Sequence, residues 1–402
     1  MREGDRTERR TRLYQRTHFG PIIHRDGNRA YAYRLTLSDD VQQIEQYYRM
    51  MTARDQKGFY EALKLNHLPP ERIVYGDVYG NIAYFVTGRT PIRSEFFTWD
   101  RPVSGNTSET EWLGFHGQDE MPQIVNPKAE WIEDCDASPD RITPAAGVTS
   151  PLQPDYMSQY LPTAESPRSF RARTLLSLNT RLTVSEAISY SQDTYAIHSE
   201  RWIRALNIAA AQHGDALLTE KVAILNAWDG RADTGSKGMA LYAGWRDQCE
   251  RAGRDIQVAS ILSAQPLGGS TANALVRAFS DALVDLERKG QRSTWGEIHR
   301  LRDDADSWPL AGSSYGLRAI QSTVTDSTRE AHSGPSQTIL MCFRAPNQID
   351  SYSVVPFGQT DFPGSAHAID QAGQFYSWAK LKPTQFGISP GSLQHQRTLD
   401  TP

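Results

Sequence analysis

Between Thr183 and Arg302 apolar side chains recur at helical spacing, whereas the first hundred residues and the stretch from Thr338 are short β-rich runs broken by turn dipeptides. A chain that changes its hydrophobic period in this way is neither all-helix nor all-sheet, and it folds as an α+β protein. The helical signal is strongest from Ser270 to Lys289. There Leu275, Val276, Phe279, Leu283 and Leu286 form one stripe, and Gly290 sits where a left-handed terminating residue belongs. Thr183-Val184-Ser185-Glu186 opens the region with capping-box spacing, hydroxyl and carboxylate each satisfying the other's backbone donor.

The front of the chain reads as two hairpins around a helical pair. The first runs from Gly20 to His24, turns through Asp26-Gly27 and returns from Ala30 to Leu35. The second runs from Ile73 to Tyr75, turns through Gly80-Asn81 and returns from Ile82 to Val86. Between them, Asp39 to Arg54 places Val41, Ile44, Tyr48 and Met51 on one helical stripe, and Asp55 is placed to cap a second helix that buries Phe59, Ala62 and Leu63. From Trp99 to Leu161 the chain is rich in Pro, Gly, Asp and Ser, and reads as long irregular structure of the kind that often carries a site. Thr338 to Phe343 and Tyr352 to Phe357 read as strands.

Hydrophobic residues make up 39% of the 402, with 17 Tyr and 9 Trp, enough to bury a core. The net charge of −4, with the basic residues near the start diluted by Glu3, Asp5 and Glu8, gives no footprint for nucleic acid or an anionic membrane. No apolar run is long enough to span a bilayer, and no signal-peptide pattern follows Met1. Cys135, Cys249 and Cys342 lie far apart with no CxxC pair, and the ten histidines fall into no ligand spacing, so neither a disulfide framework nor a zinc site is indicated.

Gly312-Ser313-Ser314-Tyr315-Gly316 matches GxSxG, with Asp326 and His332, or Asp370 and His367, available as acid and base. A nucleophile elbow needs a strand before it and a helix after it, and the acidic, proline-broken run from Asp303 to Pro309 argues for a plain turn instead. Glu133, Asp134 and Asp136 pack three carboxylates into four residues. By composition they read first as a solvated loop, with an acid/base pair or a calcium cluster as alternatives.

Several ordered segments together resemble the penicillin acylase and acyl-homoserine-lactone acylase family of N-terminal-nucleophile hydrolases. Thr17-His18-Phe19-Gly20-Pro21 is similar to its Thr-x-His-Gly-Pro strand, and Tyr75 to Tyr84, followed by Gly88, Pro91 and Arg93, to its Tyr-Ala-Asp-x-x-Gly-Asn-Ile-x-Tyr hairpin. Asn126-Pro127 and then Ile132 to Pro139 resemble the loop reading Asn-Pro, Asn-x-Asn, Pro. Leu182-Thr183, Gln192, Trp228-Asp229-Gly230, Trp295 to His299, Gly334-Pro335-Ser336 and Gly358-Gln359 follow in the family order.

The resemblance implies part of a four-layer αββα fold with an inserted helical region, covering the C-terminal part of the β chain. Residues 1–165 would form a β-rich part of the core with the oxyanion loop, 166–310 a mainly helical region, and 311–402 strands returning to the core sheet with a C-terminal tail. It implies hydrolysis of linear amides, the acyl side chains of β-lactams or acyl-homoserine lactones, by an N-terminal serine absent from this chain, with a missing α chain and N-terminal β segment as partners. Catalysis would need no cofactor. The family asparagine that donates to the oxyanion aligns with Asp136, and the loop-orienting arginine with Arg168, with Arg171 and Arg173 as competing placements. Asp155 would be a ligand of a structural calcium, and the location periplasmic or secreted. An alternative is an inactive truncated or degenerate homologue that acts as a binding or partner subunit.

Overall fold

The structure, a computed structural model, describes the chain apart from residues 1, 4–5, 8–12, 39–41, 145–153, 155, 158–165, 179–180, 215, 289–293, 304–305, 326–327, 336, 345–347, 356–359, 361, 363–364, 369, 374–380 and 385–402. It divides into two compact units, Met1–Glu165 and Ser166–Pro402.

In the first unit β1 (Arg2–Glu3) pairs with β2 (Arg6–Thr7), and β3 (Arg16–Thr17), β4 (Gly20–Asp26) and β5 (Arg29–Ala32) form an antiparallel sheet. Asp26 pairs with Arg29, so the turn is Gly27-Asn28, one residue later than the sequence suggested, where Gly27 takes φ 55°. β5 stops at Ala32, short of Leu35, and Tyr33 adds one more backbone bond to Pro21 at 3.0 Å.

α1 (Gln43–Thr52) and α2 (Gln56–Leu63) follow, the second capped as expected by Asp55, whose Oδ1 accepts from the Gly58 amide at 2.7 Å. α1 corrects the sequence reading. Ile44, Tyr48 and Met51 are exposed, and Val41 lies outside the described residues. The inward residue is Gln46, fully buried, which donates to the Leu63 carbonyl at 3.3 Å and accepts from the His67 amide at 2.6 Å. Those bonds rotate the helix so that a satisfied amide faces the core.

The sheet that carries the site has the order β6 (Glu71–Gly76), β7 (Ile82–Thr87), β8 (Gln123–Val125). β8 lies inside the stretch expected to be irregular. Its three residues pair with Ala83, Tyr84 and Phe85 of β7. β7 alternates its side chains between two cores. Ala83 and Phe85 pack with Leu63, Phe59 and Tyr60, while Tyr84 and Val86 pack with Met121, Ile124, Ala137 and Ile142.

The second unit opens on α3 (Pro167–Leu176), with Ser166 as cap, and α4 (Val184–Ser191), where the Thr183–Glu186 capping box is formed. α5 (Ser199–His213), α6 (Ala216–Asn226), α7 (Lys237–Ala252), α8 (Val258–Ser263) and α9 (Gly269–Arg288) enclose one core that includes Leu275, Val276 and Phe279 of the predicted stripe, with Leu283 and Leu286 at its margin. Gly290 lies outside the described residues.

The helical region ends earlier than Arg302. α10 (Trp295–Ile298) gives way to β9 (His299–Asp303), because His299 exchanges hydrogen bonds with Leu310, and β10 (Asp306–Pro309) completes that hairpin. β11 (Gln321–Val324) and β12 (Arg329–Ser333) extend it to the order β10-β9-β12-β11. β13 (Thr338–Arg344), β14 (Gln348–Val354) and β15 (Lys382–Thr384) form a last antiparallel sheet, which confirms both late strands as far as Val354. Phe357 lies outside the described residues.

Candidate active-site loop

Two motif segments that are distant in sequence meet at the tip of the β6-β7 hairpin. The Asp77 carboxylate accepts from the Tyr79 and Asn81 amides, from Asn81 Nδ2, each at 2.9 Å, and from the Tyr75 hydroxyl at 3.0 Å. Burial alone would raise its pKa, but these donors hold it below the usual carboxylate value. Gly80 takes φ 87° to close the turn. Asn126 then clamps the tip: its Oδ1 accepts from the Ile82 amide at 2.9 Å and its Nδ2 donates to Asn81 Oδ1 at 3.0 Å. The Asn-Pro and Gly-Asn-Ile motifs are thus two halves of one hydrogen-bonded joint, which fixes where the loop after Pro127 begins.

That loop is anchored at its far end by Ala137 and Ile142, both fully buried against Tyr84 and Val86, and by a backbone bond from Glu133 to Ile142 at 3.0 Å. The acidic cluster inside it is only in part the solvated loop that composition favoured, since Asp136 is exposed but Glu133 and Asp134 are not. Glu133 is 5% exposed and its Oε2 accepts from the Cys135 amide at 2.9 Å. Arg72 on β6 spans the other two acids, with Nη1 3.0 Å from Asp134 Oδ1 and Nη2 2.7 Å from Asp136 Oδ1. Burial lowers the Arg72 pKa, yet the bond to Asp136 and the charge of Asp134 leave it raised.

The backbone of this stretch is strained. Asn126, Glu130 and Asp136 take φ of 47°, 59° and 61°. Left-handed backbone at non-glycine residues costs about 1 kcal/mol each and persists where surrounding contacts over-determine it, often at functional sites.

Of the arginines proposed to orient the loop, Arg168 is half-buried in the first turn of α3, in the second unit. Arg171, one turn on, makes a bidentate pair with buried Asp193 at 2.8 and 2.9 Å and lies over the Tyr195 ring at 4.5 Å. Arg173 is half-buried on the same helix. Asp155 lies outside the described residues, and among those described no group of three His, Cys, Asp or Glu side chains could hold a metal ion.

A strand, β10, does precede the GxSxG motif, contrary to the sequence reading, but turns and the strand β11 follow it rather than a helix. Ser314 is exposed in that turn. Asp326 lies outside the described residues, His332 sits on β12, and His367 pairs with Asp370 at 3.0 Å on the exposed surface.

Among the later motifs, Ser336 and Gly358-Gln359 lie outside the described residues, and Trp295 and Gly230 serve packing. Trp295 stacks on His299 at 4.4 Å and donates to the Gly312 carbonyl at 2.9 Å, while Gly230, at φ 78°, lies under the Tyr195 ring where a Cβ would stand 2.5 Å from it.

The penicillin amidase family profile matches residues 2–388. The chain belongs to the penicillin amidase family. It is 26% identical over 390 residues, 83% of its length, to penicillin acylase 2 proenzyme of Pseudomonas sp. (strain SE83), covering 47% of that protein. It is 24% identical over 432 aligned positions, 93% of its length, to the acyl-homoserine lactone acylase PvdQ of Pseudomonas savastanoi pv. phaseolicola (strain 1448A / Race 6), covering 53% of it. The chain therefore spans about half the length of the curated relatives it matches. Among solved structures, a thermostable penicillin G acylase from Alcaligenes faecalis superposes with a TM-score of 0.62 at 15% identity, over 97% of this chain and 78% of that one. The α+β architecture is the penicillin acylase fold.

Within that family frame, sequence reading missed Arg72. By composition the three carboxylates read as solvated, and only their partial burial in the fold calls for the cation that Arg72 supplies from the preceding strand.

Proposed function

We propose that this chain is the C-terminal portion of a penicillin amidase-type hydrolase of linear amides, acting on acyl side chains of β-lactams or of acyl-homoserine lactones. The family match over residues 2–388 carries this reading. In it, a serine at the freshly exposed N-terminus of a preceding β segment attacks the amide carbonyl, with its own α-amine, of pKa near 8, accepting the proton through water. The 132–139 loop faces the oxyanion, and an α chain completes the pocket. Asp155 belongs to a structural calcium site that takes no part in the chemistry, and the enzyme works in the periplasm or outside the cell. Among the described residues no helix is long and apolar enough to cross a membrane.

A second reading, a non-catalytic binding or partner subunit, draws support from the motif resemblance that aligns the acid Asp136 with the family's amide donor. An ionised carboxylate cannot donate, and loss of one oxyanion donor costs about 100- to 1,000-fold in rate.

The test is turnover of phenylacetyl and long-chain acyl-homoserine-lactone chromogens. The purified chain is expected to be silent, and the chain expressed with any in-frame coding sequence upstream of it to be active. Silence of both favours the partner subunit, and turnover by the 402 residues alone overturns the placement of the nucleophile. In the active form, Asp136→Asn is expected to raise kcat, and an unchanged kcat would sink the oxyanion assignment.

A further inference from the structure

The substitution at position 136 does not stand alone. Arg72, on the strand next to β7, places one guanidinium nitrogen 2.7 Å from Asp136 Oδ1 and the other 3.0 Å from Asp134 Oδ1. The guanidinium hydrogen-bonds Asp136 and holds Asp134 in an ion contact without hydrogen-bond geometry, so one cation tethers residues 134 and 136, and with them the turn between them. That turn is the one where Asp136 takes φ 61°. Asparagine and aspartate tolerate this backbone better than other non-glycine residues, so the conformation suits either side chain and does not explain the acid. What the acid adds is a charge, and Arg72 is what meets it.

We propose that Arg72 is a positioning residue of the 132–139 loop, holding its left-handed turn and offsetting part of the charge of the two acids it meets, so that the loop presents a cation-bonded carboxylate, not a free one, where the family presents an amide. The consequence rests on the amidase reading: an acid at the oxyanion-facing position costs less when a carboxylate bonded to a cation, and not a lone one, confronts developing negative charge. The half-exposed setting of Asp136, with 52% of its side chain accessible, screens the pair, so its effect is local rather than global.

The experiment is a double-mutant cycle read by hydrogen exchange of the loop amides in the full 402-residue chain, with the β7-β8 amides as internal control. Arg72→Gln is expected to speed exchange of residues 133–137 about tenfold. In an Asp136→Asn background the same change is expected to speed it less than about threefold, because an amide needs no counter-charge. Equal acceleration in both backgrounds would overturn the proposal, since Arg72 would then serve Asp134 and the strand alone. Should Arg72→Gln fail to fold, Arg72→Lys replaces it: lysine keeps the charge and loses the fork, so loop exchange should quicken less, and Asp136→Asn should again remove the difference. A difference that survives Asp136→Asn counts against the proposal. The cycle needs no turnover. Failure to hydrolyse amides would leave it standing, while an active acylase with an additive cycle would defeat this inference alone.

Discussion

The two units hold themselves together by different means. In the second, apolar side chains from several helices converge on one core, and Trp245 on α7 sits at its centre, with Trp202, Tyr242 and Phe279 around it at centroid distances of 6.0, 5.9 and 6.0 Å, all edge-on. Even its charge is absorbed by rings: Arg246 lies 3.6 Å from the centroid of Trp202. In the first unit the core is split between the two faces of β7, and polar joints set the loops, from Asp77 and Asn126 at the hairpin tip to Arg72 beneath the acids. A core of rings specifies packing. Strained loops at a site need directional partners, because burial alone does not choose between turn conformations.

The largest expected effect follows from the first half of that contrast. Trp245→Ala removes the ring at the centre of the aromatic set and its bond to the Leu275 carbonyl at 3.2 Å, so it should destabilise the second unit by about 4 kcal/mol. Urea unfolding followed by helical circular dichroism measures this. A loss under about 1 kcal/mol would mean that the core is not organised around that side chain.

Next comes acid sensitivity, which should also belong to the second unit. His299 is fully buried, and burial lowers its pKa to about 4, against a raising bond to the Leu310 carbonyl and with Arg329 and Arg318 adding to the fall. With Nδ1 engaged at 3.2 Å, Nε2 has no hydrogen-bond partner among the described residues. The folded state thus prefers the neutral ring. The unfolded chain binds the extra proton between its ordinary value near 6.5 and 4, so the contribution is fully present above about pH 6.5 and lost as pH falls towards 4, about 3 kcal/mol in all. Stability measured across that window should decline, and His299→Phe should flatten the decline. An unchanged slope in the variant would assign the acid sensitivity to the carboxylates instead.

The same contrast explains what could be read from sequence. The α9 stripe, the Thr183 box and the Asp55 cap were legible because each is a local pattern answered by neighbours within a few turns. The α1 stripe misled because periodicity reports which residues share a face, not whether the face is buried; Gln46 decided that through bonds to Leu63 and His67, 17 and 21 residues away. In the candidate loop, Asp136 and Asn126 were singled out through family motifs. Arg72 lies 64 residues from Asp136, and only the strand pairing of β6 with β7 and the packing of the loop on Tyr84 bring the two together. A long-range ion pair leaves no period in the sequence. The same holds for His299, whose motif was visible while the hairpin that buries it was not.

The smallest expected effect tests whether the first unit tolerates a polar group that its joints do not satisfy. Tyr84 is fully buried on β7, and its hydroxyl has no hydrogen-bond partner among the described residues. Burial, followed by the negative charge of Asp134, pushes its pKa well up, so the phenol stays protonated and its proton goes unused. A buried hydroxyl without a partner costs about 1 kcal/mol or more, whereas the ring beneath it contributes normal apolar packing. Tyr84→Phe should therefore stabilise the first unit by about 1 kcal/mol in chemical unfolding and leave exchange of the loop amides unchanged. If the variant is instead destabilised, the hydroxyl is satisfied in solution, by water held among Tyr84, Asp134 and Arg72. The acid-and-arginine joint would then extend one residue deeper into the sheet, and the division between a ring-packed unit and a polar-jointed one would run through the core of the first unit as well as its loops.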